Sequence, residues 1–158
     1  MDSEEGKGTI FTAYFPVSED ALADESQEEE SELPKGHERV LFVDDEPMIL
    51  KLGQRMLERQ GYQVETRAGG TDALEYFRQD PNRFDLVLTD MTMPGLRGDK
   101  LAEEMRKIRP DTLVILSTGF SKQISEEKAK ELGIRAFVMK PLTAQELAST
   151  VRRVLDEQ

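Results

Sequence analysis

Apolar residues in this chain fall into five short runs, and a longer segment with helical spacing follows each run. Runs of this length, rich in Val, Leu, Ile and Phe, predict β-strands. In the longer segments apolar positions recur every three or four residues, as at Leu101, Met105 and Ile108, which is typical of amphipathic helices. We place the five strands at residues 40–43, 62–66, 84–89, 113–117 and 136–139.

The regular alternation of strand and helix predicts an α/β domain with a doubly wound parallel sheet of five strands. The first, third and fourth runs are continuously apolar, as expected of strands covered by helices on both faces. The second run alternates, because Gln63 and Glu65 interrupt it, and we expect this strand at an edge of the sheet.

The helix ends carry recognisable signals. Pro47 suits the first position of the first helix, and Thr143 with Glu146 forms a capping-box pattern that predicts the start of the last helix. The predicted fourth helix, near residues 125–132, has the weakest apolar face, and we expect it to be the most mobile.

The net charge of −11 is concentrated in the first part of the chain. Residues 1–37 hold 11 acids and two lysines, which leaves a net charge of only −2 for residues 38–158. Residues 19–32 carry eight acids and almost no large apolar side chain, which is typical of a solvated linker. With no basic stripe in the chain, direct nucleic-acid binding has little support.

The chain has no cysteine, which excludes disulfides and cysteine zinc sites and favours an intracellular setting. No apolar run approaches the roughly 18 residues of a spanning helix, so we expect no membrane contact by these residues.

Polar residues that suit phosphoryl chemistry stand at four predicted strand ends. Asp44 and Asp45 follow the first strand, Asp90 the third, Thr118 the fourth and Lys140 the fifth. Because ligands bind beyond the carboxyl ends of parallel strands, we expect these side chains in one crevice. Three carboxylates there would repel one another and need a cation, and Mg²⁺ fits this oxygen-rich site. Lys140 could pair with Asp90, whose carboxylate could then attack phosphorus, while Thr118 donates a hydrogen bond to a phosphoryl oxygen.

Each of these residues alone has an ordinary explanation. Asp44 or Asp45 could cap a helix, Asp90 could open a turn, Thr118 could belong to a plain loop, and Lys140 could be a surface lysine. It is their occurrence together, at four strand ends, that favours a shared site.

At these residues the chain resembles the receiver domain of two-component response regulators, over residues 38–158. The resemblance implies a (βα)₅ flavodoxin-like fold with strand order 2-1-3-4-5. The segments that carry it are VLFVDDE (40–46), GYQV (61–64), GTDAL (70–74), DLVLTDMTMPG (85–95), STG (117–119) and AFVMKP (136–141).

The resemblance also implies roles for individual residues. Asp90 would accept a phosphoryl group from phosphohistidine, and Thr118 and Phe137 would move together as a switch, with a buried core aromatic as the alternative for Phe137. The Lys140–Pro141 peptide would be cis, although sequence alone gives cis only a small prior. The metal, Mg²⁺ or Mn²⁺, would be held by Asp44, Asp45, Asp90 and the backbone carbonyl of Thr92.

A second resemblance lies upstream, where residues 3–16 look like the end of a histidine-kinase ATPase domain, with a strand at residues 9–15 that lacks its sheet. A chance β-prone tail is the alternative. We therefore divide the chain into a kinase remnant (1–17), an acidic linker (18–37) and a receiver (38–158), as in a hybrid sensor kinase.

These features favour a cytoplasmic phosphorylation switch rather than a classical enzyme, within a parent histidine kinase that could be membrane-associated. Its partners would be a kinase or histidine phosphotransfer protein, and a second copy through the fourth helix, fifth strand and fifth helix. One alternative is a phosphohydrolase of the haloacid dehalogenase type, which needs an acid where Thr92 stands. The other is a receiver-like scaffold that is never phosphorylated.

Overall fold

The computed structural model describes residues 2–4, 8–10, 12, 33–119, 129 and 132–157. The chain divides into two compact units, Met1–Ser31 and Glu32–Gln158. In the first unit, strands Asp2–Glu4 and Gly8–Ile10 pair antiparallel, with Asp2 opposite Ile10. The predicted strand at 9–15 therefore has a local partner over its described part, and its remaining positions, apart from Thr12, lie outside the described residues. The assignment to a kinase domain and the domain boundaries stay predictions.

The second unit contains a five-stranded parallel sheet in the order β2-β1-β3-β4-β5, which confirms the predicted fold class and strand order. Four helices are described with it. The strands are β1 (Arg39–Val43), β2 (Gln63–Arg67), β3 (Leu86–Asp90), β4 (Val114–Thr118) and β5 (Ile134–Met139), and the helices are α1 (Pro47–Arg59), α2 (Gly70–Gln79), α3 (Gly98–Ile108) and the C-terminal helix (Ala144–Asp156).

The strand boundaries differ from the predicted ones by one or two residues. Asp90 and Thr118 are the last residues of β3 and β4 rather than the first residues after them, because their backbones still pair with the neighbouring strands. Strand β2 lies at an edge, as predicted, and β5 forms the other edge. Of the predicted fourth helix, residues 125–132, Ala129 is described in helical conformation and Leu132 in a turn, and the other positions, with the expected mobility of this helix, fall outside the described residues.

The core has two layers, one on each face of the sheet, as the doubly wound prediction requires. On one face, Phe42 and Ile115 pack with residues of α1 and the C-terminal helix, such as Leu57 and Val151. On the other face, residues of α2 and α3 cover the sheet around Leu116. Both layers consist mainly of buried aliphatic and aromatic side chains, the main source of stability in such domains.

The predicted helix signals are found in the structure. Pro47 is the first residue of α1, and the N–H of Glu146 donates to the Thr143 hydroxyl over 3.2 Å. The Glu146 carboxylate does not complete the predicted capping box but accepts from the N–H of Met139 at 3.3 Å, which ties the C-terminal helix to β5. The Lys140–Pro141 peptide is cis. No helix in the described part of the chain is long and apolar enough to cross a membrane.

Helix α3 begins in direct contact with the end of β3. A Cβ atom at Gly98 would lie 2.1 Å from the backbone oxygen of Asp90, and the Gly98 N–H donates to the Met91 carbonyl at 3.2 Å. Only glycine therefore permits α3 to approach the strand end that carries Asp90.

We expect Gly98→Ala to lower the free energy of unfolding by about 1–3 kcal/mol, because the clash with backbone outweighs the better helix propensity of alanine. Gly119→Ala is the matched control, since a Cβ atom there meets nothing within 4 Å. Urea unfolding of the two variants measures the difference. Equal stability of Gly98→Ala and the control would show that the contact with β3 is not tight.

Candidate functional site

The sheet order brings the predicted strand-end residues to one edge. Asp44 follows β1, Asp90 ends β3, Thr118 ends β4 and Lys140 follows β5, and these four strands are consecutive neighbours. The N–H of Lys140 donates to the Thr118 carbonyl at 2.9 Å, which fixes the lysine backbone beside β4. From there the lysine side chain extends across the end of β4 toward β3 and β1.

The lysine ammonium binds two carboxylates at once. Lys140 Nζ lies 2.9 Å from Asp44 Oδ2 and 2.8 Å from Asp90 Oδ1. The Asp44 side chain is fully buried, the Asp90 side chain is 7% exposed and that of Lys140 is 20% exposed. The sequence predicted the contact with Asp90, and the structure adds the contact with Asp44.

Backbone amides orient both carboxylates. The N–H of Glu46 donates to Asp44 Oδ1 at 2.9 Å, and the N–H of Thr92 donates to Asp90 Oδ2 at 3.0 Å. Each aspartate therefore has one oxygen on the ammonium and the other on an amide two residues later. Sequence analysis missed these amides, although aspartate is well known to accept from the backbone two residues on.

Burial and charge act in opposite directions on the pKa values of Asp44 and Lys140. Burial raises the pKa of Asp44, and nearby Asp90 adds to this, while hydrogen bonds from Glu46 and Lys140 act in the other direction. Burial alone would lower the pKa of Lys140, but its bonds to Asp90 and Asp44 raise it above the ordinary value. Lys140 is therefore charged at neutral pH.

The remaining predicted residues are placed differently. Asp45 and Thr92 are exposed, whereas Thr118 is buried. Phe137 is 38% exposed on β5, which excludes the alternative of a core aromatic. Within the described ranges, no group of three or more acidic or histidine side chains is gathered closely enough to hold a metal ion, so Asp45 does not join Asp44 and Asp90.

The donor set nevertheless fits a hard divalent cation. Asp44 and Asp90 each place a carboxylate oxygen within 2.9 Å of the same positively charged atom, and carboxylate oxygens are the ligands that Mg²⁺ prefers. The exposed Asp45 directly follows Asp44, and its side chain would have to turn toward Asp44 and Asp90 to supply a further oxygen.

Comparison with known proteins identifies the class of domain to which this parallel sheet, with an aspartate–lysine site at its carboxyl edge, belongs. Residues 40–152 match the family model described as the response regulator receiver domain. The chain belongs to this family, as the resemblance predicted.

The relatives are both single receivers and longer proteins. The chain is 33% identical over 99% of its length to sensor kinase CckA of Brucella abortus, of which it covers 18%. It is 32% identical over 75% of its length to sporulation initiation phosphotransferase F of Bacillus subtilis, of which it covers 94%. It also covers 45% of the probable transcriptional regulator ycf27 of Guillardia theta. The chain thus spans less than half of several curated relatives.

Solved structures show the same fold. A receiver domain protein from Clostridium thermocellum has a TM-score of 0.70 and 33% identity, over 76% of this chain and 95% of that one. Response regulator TrrA from Thermotoga maritima, in complex with Mg(2+)-BeF, has a TM-score of 0.67 and 34% identity, over 74% of this chain and 98% of that one.

We expect Asp44→Asn to be more stable than the wild type near neutral pH in metal-free buffer, because the variant carries no negative charge at this buried position. Because the pKa of Asp44 is raised on folding, the folded protein binds this proton more tightly than the unfolded chain. Its contribution therefore becomes destabilising as pH rises through the unfolded and then the folded pKa. Urea unfolding across a pH series should show the variant's advantage growing with pH. An Asp44→Asn protein that is less stable at every pH would contradict this charge balance.

Proposed function

We propose that this receiver is a phosphorylation-dependent switch of a two-component phosphorelay, in which Asp90 accepts a phosphoryl group from a phosphohistidine. The observation that carries the proposal is the Asp90 carboxylate itself, held at the end of β3 between the Lys140 ammonium and the Thr92 amide. A fixed carboxylate beside a cation, with 7% of its side chain exposed, is a suitable nucleophile for phosphorus. Membership of the receiver family supports the same role.

In this reaction an Asp90 oxygen forms the new bond to phosphorus as the bond from phosphorus to the histidine nitrogen breaks. The electron pair of the broken bond returns to the imidazole, which takes up a proton from solvent. Catalysis is mainly positioning and charge stabilisation, because the carboxylate needs no deprotonation. Lys140 holds the carboxylate before transfer and contacts a phosphoryl oxygen after it, and Thr118 donates its hydroxyl to another.

The proposed metal ligands are Asp44, Asp45, Asp90 and the Thr92 carbonyl, with Mg²⁺ or Mn²⁺ as the ion. When bound, the metal neutralises charge on the carboxylates and on the phosphoryl oxygens. The convergence of Asp44 and Asp90 on one ammonium supports these two as ligands, and the solved relative TrrA is a complex with Mg(2+)-BeF.

The proposed output runs through Thr118 and Phe137. Thr118 is buried at the end of β4, next to the edge strand that carries Phe137. Along β5, residues alternate between buried and exposed, so that Phe137 and Met139 share the exposed face. Movement of Thr118 toward a phosphoryl group would change this face, which is the proposed contact for a partner or a second copy, together with the predicted fourth helix and the C-terminal helix.

The chain is proposed to be a cytoplasmic part of a hybrid histidine kinase, its parent protein. Similarity to sensor kinase CckA over 99% of the chain supports this, because it extends beyond the receiver into the first unit. The phosphoryl donor would then be a histidine of a kinase or of a phosphotransfer protein.

Intact mass after incubation with acetyl phosphate and Mg²⁺ tests the switch. We expect one phosphoryl adduct, which is absent in Asp90→Asn and without Mg²⁺. Asp111→Asn is the control, because its side chain is 85% exposed and should leave the adduct unchanged. Continuous phosphate release at an enzyme-like rate would favour the phosphohydrolase instead, and the absence of any adduct would favour the scaffold.

Lys140→Gln should slow adduct formation by about a hundredfold, because a positioned charge that stabilises the transition state is lost. The control is Lys51→Gln, an exposed lysine of α1. The rate of adduct formation at saturating acetyl phosphate is measured for both folded variants. A rate for Lys140→Gln within threefold of the wild type would contradict the role of this lysine.

A further inference from the structure

The segment just before the sheet, residues 33–38, lies against the receiver rather than extending freely from it. The N–H of Gly36 donates to the carbonyl of Gln60 at the end of α1, over 2.9 Å. The carbonyl of Glu38 accepts from the N–H of Gln63 at 3.0 Å, and the Gln63 side chain donates to the His37 carbonyl at 3.4 Å. We call residues 33–38 the arm.

Glycine at two positions permits this close packing. A Cβ atom at Gly36 would lie 2.1 Å from ring atom Cε1 of Tyr62, whose side chain is almost completely buried. A Cβ atom at Gly61 would lie 2.4 Å from the carbonyl oxygen of Gly36, and Gly61 has a φ of +96° that favours glycine. The arm therefore packs closely against the segment that connects α1 to β2.

An ion pair joins the arm to the C-terminal helix, 114 residues along the chain. Glu38 Oε1 lies 2.8 Å from Arg152 Nη1, and the two side chains are only 18% and 23% exposed. The other Glu38 oxygen accepts from the His37 N–H at 2.9 Å, and Arg152 also binds Asp156 at 2.8 Å. Burial alone would raise the pKa of Glu38, but the bonds from Arg152 and His37 bring it below its ordinary value.

The ion pair of the neighbouring Arg153 provides a comparison for the Glu38–Arg152 pair. Arg153 pairs with Glu157 at 3.6 Å, and both of those side chains are 54% exposed. Such an exposed pair within one helix contributes little. The Glu38–Arg152 pair instead connects two elements that are distant in sequence.

We propose that the arm and the C-terminal helix are coupled through the Glu38–Arg152 pair, so that displacement of one displaces the other. If the proposed function holds, movement of the C-terminal helix on phosphorylation therefore reaches the arm, the segment that joins the receiver to the preceding acidic residues. The coupling itself is a property of the unphosphorylated protein, so it is tested separately from the switch.

Amide hydrogen exchange of the full chain, followed by NMR without a phosphoryl donor, tests the coupling from both ends. Arg152→Gln should raise exchange at Gly36 at least tenfold, and Arg153→Gln should leave it unchanged. Gly36→Val, which displaces the arm through Tyr62, should raise exchange in residues 148–152 at least threefold, and the exposed-arm control Lys35→Gln should not. The amide of Val87, bonded to Leu113 within the sheet, reports global unfolding and should stay protected in all four variants.

Exchanging the two charges of the Glu38–Arg152 pair tests whether the ion pair itself protects the Gly36 amide. Glu38→Arg combined with Arg152→Glu should restore protection at Gly36 relative to Arg152→Gln. The proposal is overturned if Arg152→Gln and Arg153→Gln give the same exchange at Gly36. It is also overturned if the exchange at Gly36 rises only in step with that of Val87, since the effect would then be general loss of stability.

Discussion

One shared ammonium holds the functional edge of this receiver together. Asp44 and Asp90 both bind Lys140 Nζ in a largely buried position. Two carboxylates about 4 Å apart repel by about 4 kcal/mol at an effective dielectric near 20, and a cation between them turns this repulsion into attraction. The same arrangement leaves the site poised for a phosphoryl group and a metal, because it already gathers oxygen ligands around a positive centre.

The fold provides the geometry that this contact requires. Lysine reaches both acids because β5, β4, β3 and β1 are consecutive in the sheet, and because the Lys140 backbone is bonded to Thr118. Gly98 brings the start of α3 against Asp90, so that the strand end is closed on one side. The contact of Lys140 with both aspartates thus depends on the order of the strands and on the length of the lysine side chain. Gly98 adds the close approach of α3 to Asp90.

The sequence predicted what depends on local pattern. Alternating strands and helices, the edge position of β2, the start of α1 at Pro47 and the strand-end positions of the acids all follow from short-range periodicity. The bond from Lys140 to Asp44 and the pair of Glu38 with Arg152 were not predicted. They join residues 96 and 114 positions apart, and no short-range pattern indicates that these particular side chains meet. They depend on the depth and direction of side chains, which only the packed structure defines. The same holds for Glu146, which binds Met139 rather than its own helix start.

Borohydride reduction of the phosphorylated protein tests the central claim most directly, because it converts an aspartyl phosphate into homoserine that tandem mass spectrometry locates in the sequence. The chemistry proposed for Asp90, in a site held by Lys140, predicts homoserine at position 90 alone, and only after exposure to the phosphoryl donor. Homoserine at position 44 or 45, or an adduct on a residue that borohydride does not reduce, would contradict it.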